Sequence, residues 1–347
     1  MPDEDHAVDL VFEGGGVKGI ALAGALAVIE EQGYVVQRRA GASAGAIVAA
    51  LHAAGYTGAE LSELVPAIDF AAFRDRGWED RIPLAGSAIS ILKDKGIYEG
   101  TAFREWLAGL LADRGVVTFD DLRTDEAGDA TPLTAHRLQI IVSDLTERRL
   151  LVLPADARKL GIEPSDLEVA TAVRMSMAIP LYFEPVEFDN PDTGATHVLV
   201  DGGMLSNFPV WLFDVPGAPR WPTFGLDLVE AEPERSVGER LPVPEKSLAD
   251  AGIVEYLKAL VSTMVEAQDR RYLEEHSFAR TIPLPTLGVS TTDFGLSEDR
   301  AVALLRSGRT AAERFLERWD FDAYVATYRT GADISRTTRV DEAMGTA

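Results

Sequence analysis

Val35-Val36-Gln37-Arg38-Arg39-Ala40-Gly41-Ala42-Ser43-Ala44-Gly45-Ala46-Ile47-Val48-Ala49-Ala50 decides the fold. It reads as a short strand, an abrupt turn with one serine between two glycines, and an alanine-rich helix. The pattern G-x-S-x-G at Gly41 to Gly45 is that of a nucleophile elbow, where flanking glycines remove Cβ atoms that would collide in a strained strand-to-helix turn. The helix behind it aims its N-terminal N–H groups and positive dipole end at the serine, which favours an alkoxide or a bound oxyanion. Alone, the same five residues also describe a small-residue turn with Ser43 as a plain N-cap.

Upstream, Val8 to Phe12 is a short apolar run that ends in Glu13-Gly14-Gly15-Gly16-Val17-Lys18-Gly19, followed by a predicted helix over Ile20 to Gln32 with Gly33 as its stop. Strand, glycine loop, helix, strand, glycine turn, helix is the opening of a parallel α/β sheet. Downstream, 137–143 with 150–153 and 181–188 with 197–200 read as strand pairs, the second delivering the chain into Asp201-Gly202-Gly203. Helices are expected from Thr57, Thr101, Ser165, Leu248 and Ser297, and a further strand over Trp221 to Leu228. The apolar stretch at 82–92 is a packed loop or a lid over an apolar site.

The chain has 347 residues and a net charge of −23, which argues against nucleic acid and against electrostatic docking on anionic lipid. Any membrane contact is expected to be apolar or with zwitterionic lipid. Without cysteine, disulfides, thiolate metal sites and a cysteine nucleophile are excluded. The acidic start Met1-Pro2-Asp3-Glu4-Asp5 lacks the order of a signal peptide, and no apolar run has the length of a spanning helix, so a cytoplasmic protein is expected.

The three glycine turns, Gly14 to Gly19, Gly41 to Gly45 and Asp201 to Gly203, each follow a predicted strand. In an open parallel sheet strand C-termini share one edge, so the turns are expected to converge there. None of the five histidines is well placed as a base for Ser43: His6 lies in the terminus, His52 faces away on the same helix, and His136, His197 and His276 lie on other elements. Asp201 remains. A carboxylate is a weak base in water, but burial raises its pKa while the helix end stabilises the alkoxide, so the mismatch narrows from both sides. Gly14, Gly15 and Gly16 can offer backbone N–H groups to an oxyanion, and Lys18 can add charge.

These three motifs in this order resemble the patatin-like phospholipases, whose pattern is a G-G-G-x-[KR]-G loop, a G-x-S-x-G elbow and a D-G-[GA] turn. The resemblance extends to Gly96-Ile97-Tyr98-Glu99-Gly100, to Ala178-Ile179-Pro180-Leu181-Tyr182-Phe183-Glu184-Pro185 and to Asn207-Phe208-Pro209. It implies a three-layer α/β/α sandwich with a mostly parallel central sheet, and hydrolysis of lipid acyl esters without metal or other cofactor. By it Ser43 is the nucleophile, Asp201 its sole partner and Gly14, Gly15, Gly16 and Lys18 the oxyanion hole. Gly41, Gly45, Gly202 and Gly203 shape the two turns. The implied partner is a lipid or acyl-ester substrate, with transient contact to a zwitterionic membrane or micelle.

The domain is expected over 8–214, with a strand and helical C-terminal extension over 215–330 on the same body and a frayed tail over 331–347. Two alternatives stay open. Gly14 to Gly19 also fits the dinucleotide fingerprint G-x-G-x-x-G, with Arg38 or Arg39 near a 2′-phosphate, as in an NADP-binding oxidoreductase. A catalytically silent scaffold of the same fold is the other.

Overall fold

The computed structural model describes residues 6–68, 100–124, 131–230 and 275–329 apart from Thr292 and Phe294. The lid at 82–92, the motif residues 96–99, most of the helix expected from Leu248 and the tail over 331–347 lie outside them.

In chain order the main elements are β1 (Ala7–Phe12), α1 (Ile20–Glu31), β2 (Val35–Gly41), α2 (Ser43–Ala53), α3 (Gly58–Leu64) and α4 (Thr101–Ala112). They continue with β3 (Leu138–Asp144), β4 (Arg149–Leu153), α5 (Val169–Ser176), β5 (Val186–Asp189) and β6 (Thr196–Asp201). The chain then gives β7 (Thr223–Val229), α6 (Glu275–Ala279), β8 (Thr281–Pro285), α7 (Glu298–Leu316) and α8 (Phe321–Tyr328). One mixed sheet runs β5-β6-β3-β2-β1-β7-β8, with β4 paired to β3. Pairings among β3, β2, β1, β7 and β8 are parallel; β4, β5 and β6 join antiparallel.

β1 is buried along its whole length and α1 and α2 on nearly every face, the signature of a sheet covered on both sides. That burial explains their alanine and glycine content. A Cβ at Gly24 would stand 2.2 Å from Leu305 O, and one at Gly308 would stand 1.9 Å from Ala21 O. α7 therefore lies almost backbone to backbone on α1. Gly308→Val is expected to force the helices apart and lower stability by about 3 kcal/mol, the upper end of overpacking costs; urea unfolding measures it.

The expectation that Asp201 shares a C-terminal edge through parallel pairing is corrected here. β6 runs antiparallel to β3, with Val142 opposite Asp201, whereas β2 runs parallel with Gly41 opposite Ile140. β6 therefore begins beyond the end of β2 and comes back toward it. Asp201 and the elbow thus meet along one edge of β3, which β2 and β6 share end to end while β4 takes the other edge.

Among the described residues beyond 214 are two strands of the main sheet. β7 pairs with β1 and β8 with β7, so both extend the sheet that carries the glycine loop. β8 escaped sequence reading because Thr281-Ile282-Pro283-Leu284-Pro285 holds two prolines, which only an edge strand tolerates.

Candidate active site

Ser43 opens α2 with φ +50°, a left-handed conformation for a residue with a side chain. Such strain costs on the order of 1–3 kcal/mol and persists only where the surroundings impose it. Gly45 is one such surrounding: a Cβ there would lie 2.4 Å from Phe12 O and 2.6 Å from Glu13 O, so the first turn of α2 is pressed onto the end of β1. Gly41 is equally confined, 2.5 Å from Gly45 O at its would-be Cβ.

The Ser43 N–H would be an orphan of the helix terminus. It donates instead to Ser176 Oγ at 2.9 Å, and Ser176 Oγ donates to Ile141 O at 2.6 Å. Ser176 is fully buried at the end of α5. Sequence reading placed it in a helix and gave it no role; a serine at a helix C-terminus carries no local signal of a partner 133 residues away. Ser176→Ala leaves Ser43 N–H and Ile141 O without this partner. It is expected to cost about 1–3 kcal/mol of stability, read by urea unfolding.

Asp201 is 1% exposed and Ser43 4%. Asp201 Oδ1 accepts the Gly203 N–H at 2.7 Å. Burial pushes the carboxyl up from 3.8 to about 7, against the pull of the neighbouring Ser43 hydroxyl and of the Gly203 N–H. The Ser43 hydroxyl is directed at Met177 Sδ, 3.8 Å away, a weak acceptor. Asp201 Oδ2 is buried without a hydrogen bond in this rotamer. A turn of the hydroxyl onto the carboxylate therefore exchanges a poor acceptor for a strong one.

A Cβ at Gly14 would stand 3.0 Å from Ser43 Cβ and 3.2 Å from Ala42 O, which places the glycine loop directly on the elbow. A Cβ at Gly202 would stand 2.2 Å from Ile141 O, so that turn is packed as closely on β3. The expectation that all three loop glycines present free donors is narrowed, because the Gly14 N–H donates to Asn207 O at 3.1 Å. Among the described residues the N–H groups of Gly15, Gly16, Ala44 and Gly45 have no acceptor. Lys18 is buried at 9% exposure, and its own N–H bonds Gly15 O.

All five histidines are engaged away from the pair. Arg39 Nε donates to His52 Nδ1 at 3.1 Å, which leaves His52 Nε2–H to bond Glu30 Oε1 at 2.9 Å. Burial, foremost, keeps the His52 pKa low. His197 pairs with Asp144 at 2.9 Å, His276 lies 3.7 Å from Asp214, His136 stands edge-on to Phe119 and His6 to Tyr34. The two arginines that an NADP site would use are also committed. Arg38 is forked onto Asp9 at 3.0 and 2.6 Å, and Arg39 is buried against His52.

A mixed, mostly parallel sheet with flanking helices, an elbow serine and a buried carboxyl beside it define the patatin class of α/β proteins. The chain belongs to the patatin-like phospholipase family, whose model matches residues 10–214. It is 39% identical over 315 residues to YqhO of Bacillus subtilis (strain 168), covering 90% of this chain and 99% of that one. Among solved structures it is similar to VipD from Legionella pneumophila, with a TM-score of 0.53 at 18% identity over 98% of this chain and 74% of that one. It is also similar to ExoU, in its complex with SpcU from Pseudomonas aeruginosa, with a TM-score of 0.46 at 19% identity over 90% of this chain and 52% of that one. At the level of the family, this membership places the chain among the lipid acyl hydrolases. Among the described residues no helix is long and apolar enough to cross a membrane.

Proposed function

We propose that the chain hydrolyses acyl esters of lipids with Ser43 as nucleophile and Asp201 as its only proton acceptor. The observation that carries this reading is the buried Asp201 carboxyl, raised to about 7 beside the hydroxyl of a strained elbow serine. A base poised near the working pH combines the right protonation state with useful driving force. Asp201 accepts the hydroxyl proton as Ser43 Oγ bonds to the ester carbonyl carbon. The tetrahedral oxyanion is met by N–H groups of Gly15 and Gly16, with the dipole of α2 and the Lys18 ammonium adding positive potential. Collapse breaks the bond to the leaving alcohol, which takes the proton from Asp201. Water then attacks the acyl-Ser43 ester, gives a proton to Asp201, and releases the acid as Ser43 recovers its hydrogen.

Residues 8–214 supply the catalytic groups in this reading, and β7 and β8 continue the sheet that holds them. The substrate is presented from a zwitterionic bilayer or micelle, consistent with the net charge of −23. A fluorophosphonate probe tests the assignment: it is expected to add to the Ser43-containing peptide and extinguish p-nitrophenyl ester turnover in proportion to labelling. Turnover that survives stoichiometric labelling, or an adduct on another residue, overturns the reading.

A further inference from the structure

Asn207 touches both the glycine loop and the turn that carries Asp201. Its backbone carbonyl accepts the Gly14 N–H at 3.1 Å, and its Nδ2 donates to Gly14 O at 2.9 Å, so one residue grips both polar groups of one glycine. The same Nδ2 donates to Glu13 Oε1 at 3.0 Å. Two acceptors on Nδ2 fix the amide orientation and turn Oδ1 the other way. Oδ1 is buried without a hydrogen bond and lies 2.2 Å from the would-be Cβ of Gly14 and 2.7 Å from that of Gly203. It thus wedges between the glycine loop and the turn that carries Asp201.

The second half of the arrangement comes from outside the residues matched by the family model. Glu13 Oε2 accepts the N–H of Leu228 in β7, and Leu228 Cδ1 lies 2.3 Å from the would-be Cβ of Gly15. Nδ2 of the buried Asn207 and both oxygens of the half-buried Glu13 are bonded, so these three bonds tie the glycine loop to β7. Donors for an oxyanion gain most of their value from being fixed before the charge develops.

We propose that Glu13 and Asn207 are positioning residues: a clamp, anchored on β7, that sets the Gly15 and Gly16 N–H groups against the Ser43–Asp201 pair. The inference rests on the hydrolase reading above. It predicts a loss in the chemical step and not in substrate binding.

Glu13→Gln, Asn207→Ala and their double variant are compared with wild type and with Ser43→Ala in p-nitrophenyl ester turnover, fluorophosphonate labelling of Ser43 and urea unfolding. Glu13→Gln keeps the shape but sets an NH₂ against one of two N–H donors. It is expected to unfold near the wild-type midpoint while kcat falls at least about ten-fold with KM within about two-fold. Labelling is expected to slow in step. Asn207→Ala is expected to lose about a hundred-fold or more, and the double variant no more than that, since the two act as one unit. If Asn207→Ala does not fold, Glu13→Gln decides alone. Wild-type kcat in folded Glu13→Gln, or losses that follow only the folded fraction, overturn the clamp. Turnover persisting in Ser43→Ala overturns the hydrolase reading itself and the clamp with it; turnover lost there but intact in Glu13→Gln overturns the clamp only.

Discussion

Asp201→Asn is expected to lower kcat by about 10²–10⁴-fold, the contribution of a positioned general base, and at the same time to stabilise the protein at neutral to alkaline pH. The two effects have one origin. Burial raises the Asp201 carboxyl from 3.8 to about 7, so between those pH values the folded chain holds a proton that the unfolded chain releases. The stability this group contributes is full below about 3.8 and is lost as pH rises through about 7. Above that, the folded protein carries a buried carboxylate at a cost on the order of 4 kcal/mol. An amide of the same shape carries none. Urea unfolding at about pH 8 is expected to show Asp201→Asn more stable than wild type, with the gap closing toward about pH 4 as the wild-type carboxyl protonates. Equal stability across that range would mean that the carboxyl is not destabilised by its site.

The same raised value sets the activity profile. A base works only when ionised, so kcat/KM is expected to climb with pH through about 7. An acid limb near the ordinary aspartate value would point to a solvated carboxyl. A limb that survives in Asp201→Asn would belong to another group. No histidine of the chain bonds Ser43 or Asp201, so a limb near neutrality reports on Asp201.

Which parts of this arrangement the sequence carries follows from where the information sits. Gly41, Ser43 and Gly45 are legible because their contacts are local: the would-be Cβ of Gly41 meets Gly45 itself. Asp201 is legible by elimination, since the histidines sit on unsuitable elements. The direction of β6 is not, because a strand buried on one face reads the same whether its partner is parallel or antiparallel. Ser176, Glu13 and Asn207 act through bonds to residues 133, 215 and 193 positions away; the family resemblance takes in Asn207 without giving it a role, and no local pattern gives one to Ser176 or Glu13. The spent N–H of Gly14 is hidden for the same reason: its acceptor, Asn207 O, lies far along the chain. Local strain is written locally; what holds the site in register is written in pairs.

Gly45→Ala separates the geometry of the elbow from its chemistry, and Ser43→Ala is its counterpart. The hydroxyl lost in Ser43→Ala donates to a weak acceptor, Met177 Sδ at 3.8 Å, and lies beside an Asp201 carboxyl whose charge burial already disfavours. Stability is therefore expected to stay within about 0.5 kcal/mol while turnover falls by up to about 10⁶-fold, the scale for removing a serine nucleophile. Gly45→Ala keeps the hydroxyl and every charged group. Its new methyl would have to occupy space 2.4 Å from Phe12 O and 2.6 Å from Glu13 O, both backbone atoms of the strand end. No rotamer change relieves that contact, so α2 must back away from β1 and carry Ser43 with it. The Glu13 carbonyl is bonded to the nitrogen of Gly14, so the push also reaches the glycine loop. A misplacement near 1 Å costs about 10²-fold in rate, and the overpacking about 3 kcal/mol. Gly45→Ala is thus expected to lose activity and stability together, whereas Ser43→Ala loses activity alone. Wild-type turnover in a folded Gly45→Ala protein would mean that the close seat of the helix on the strand is not what aims the serine.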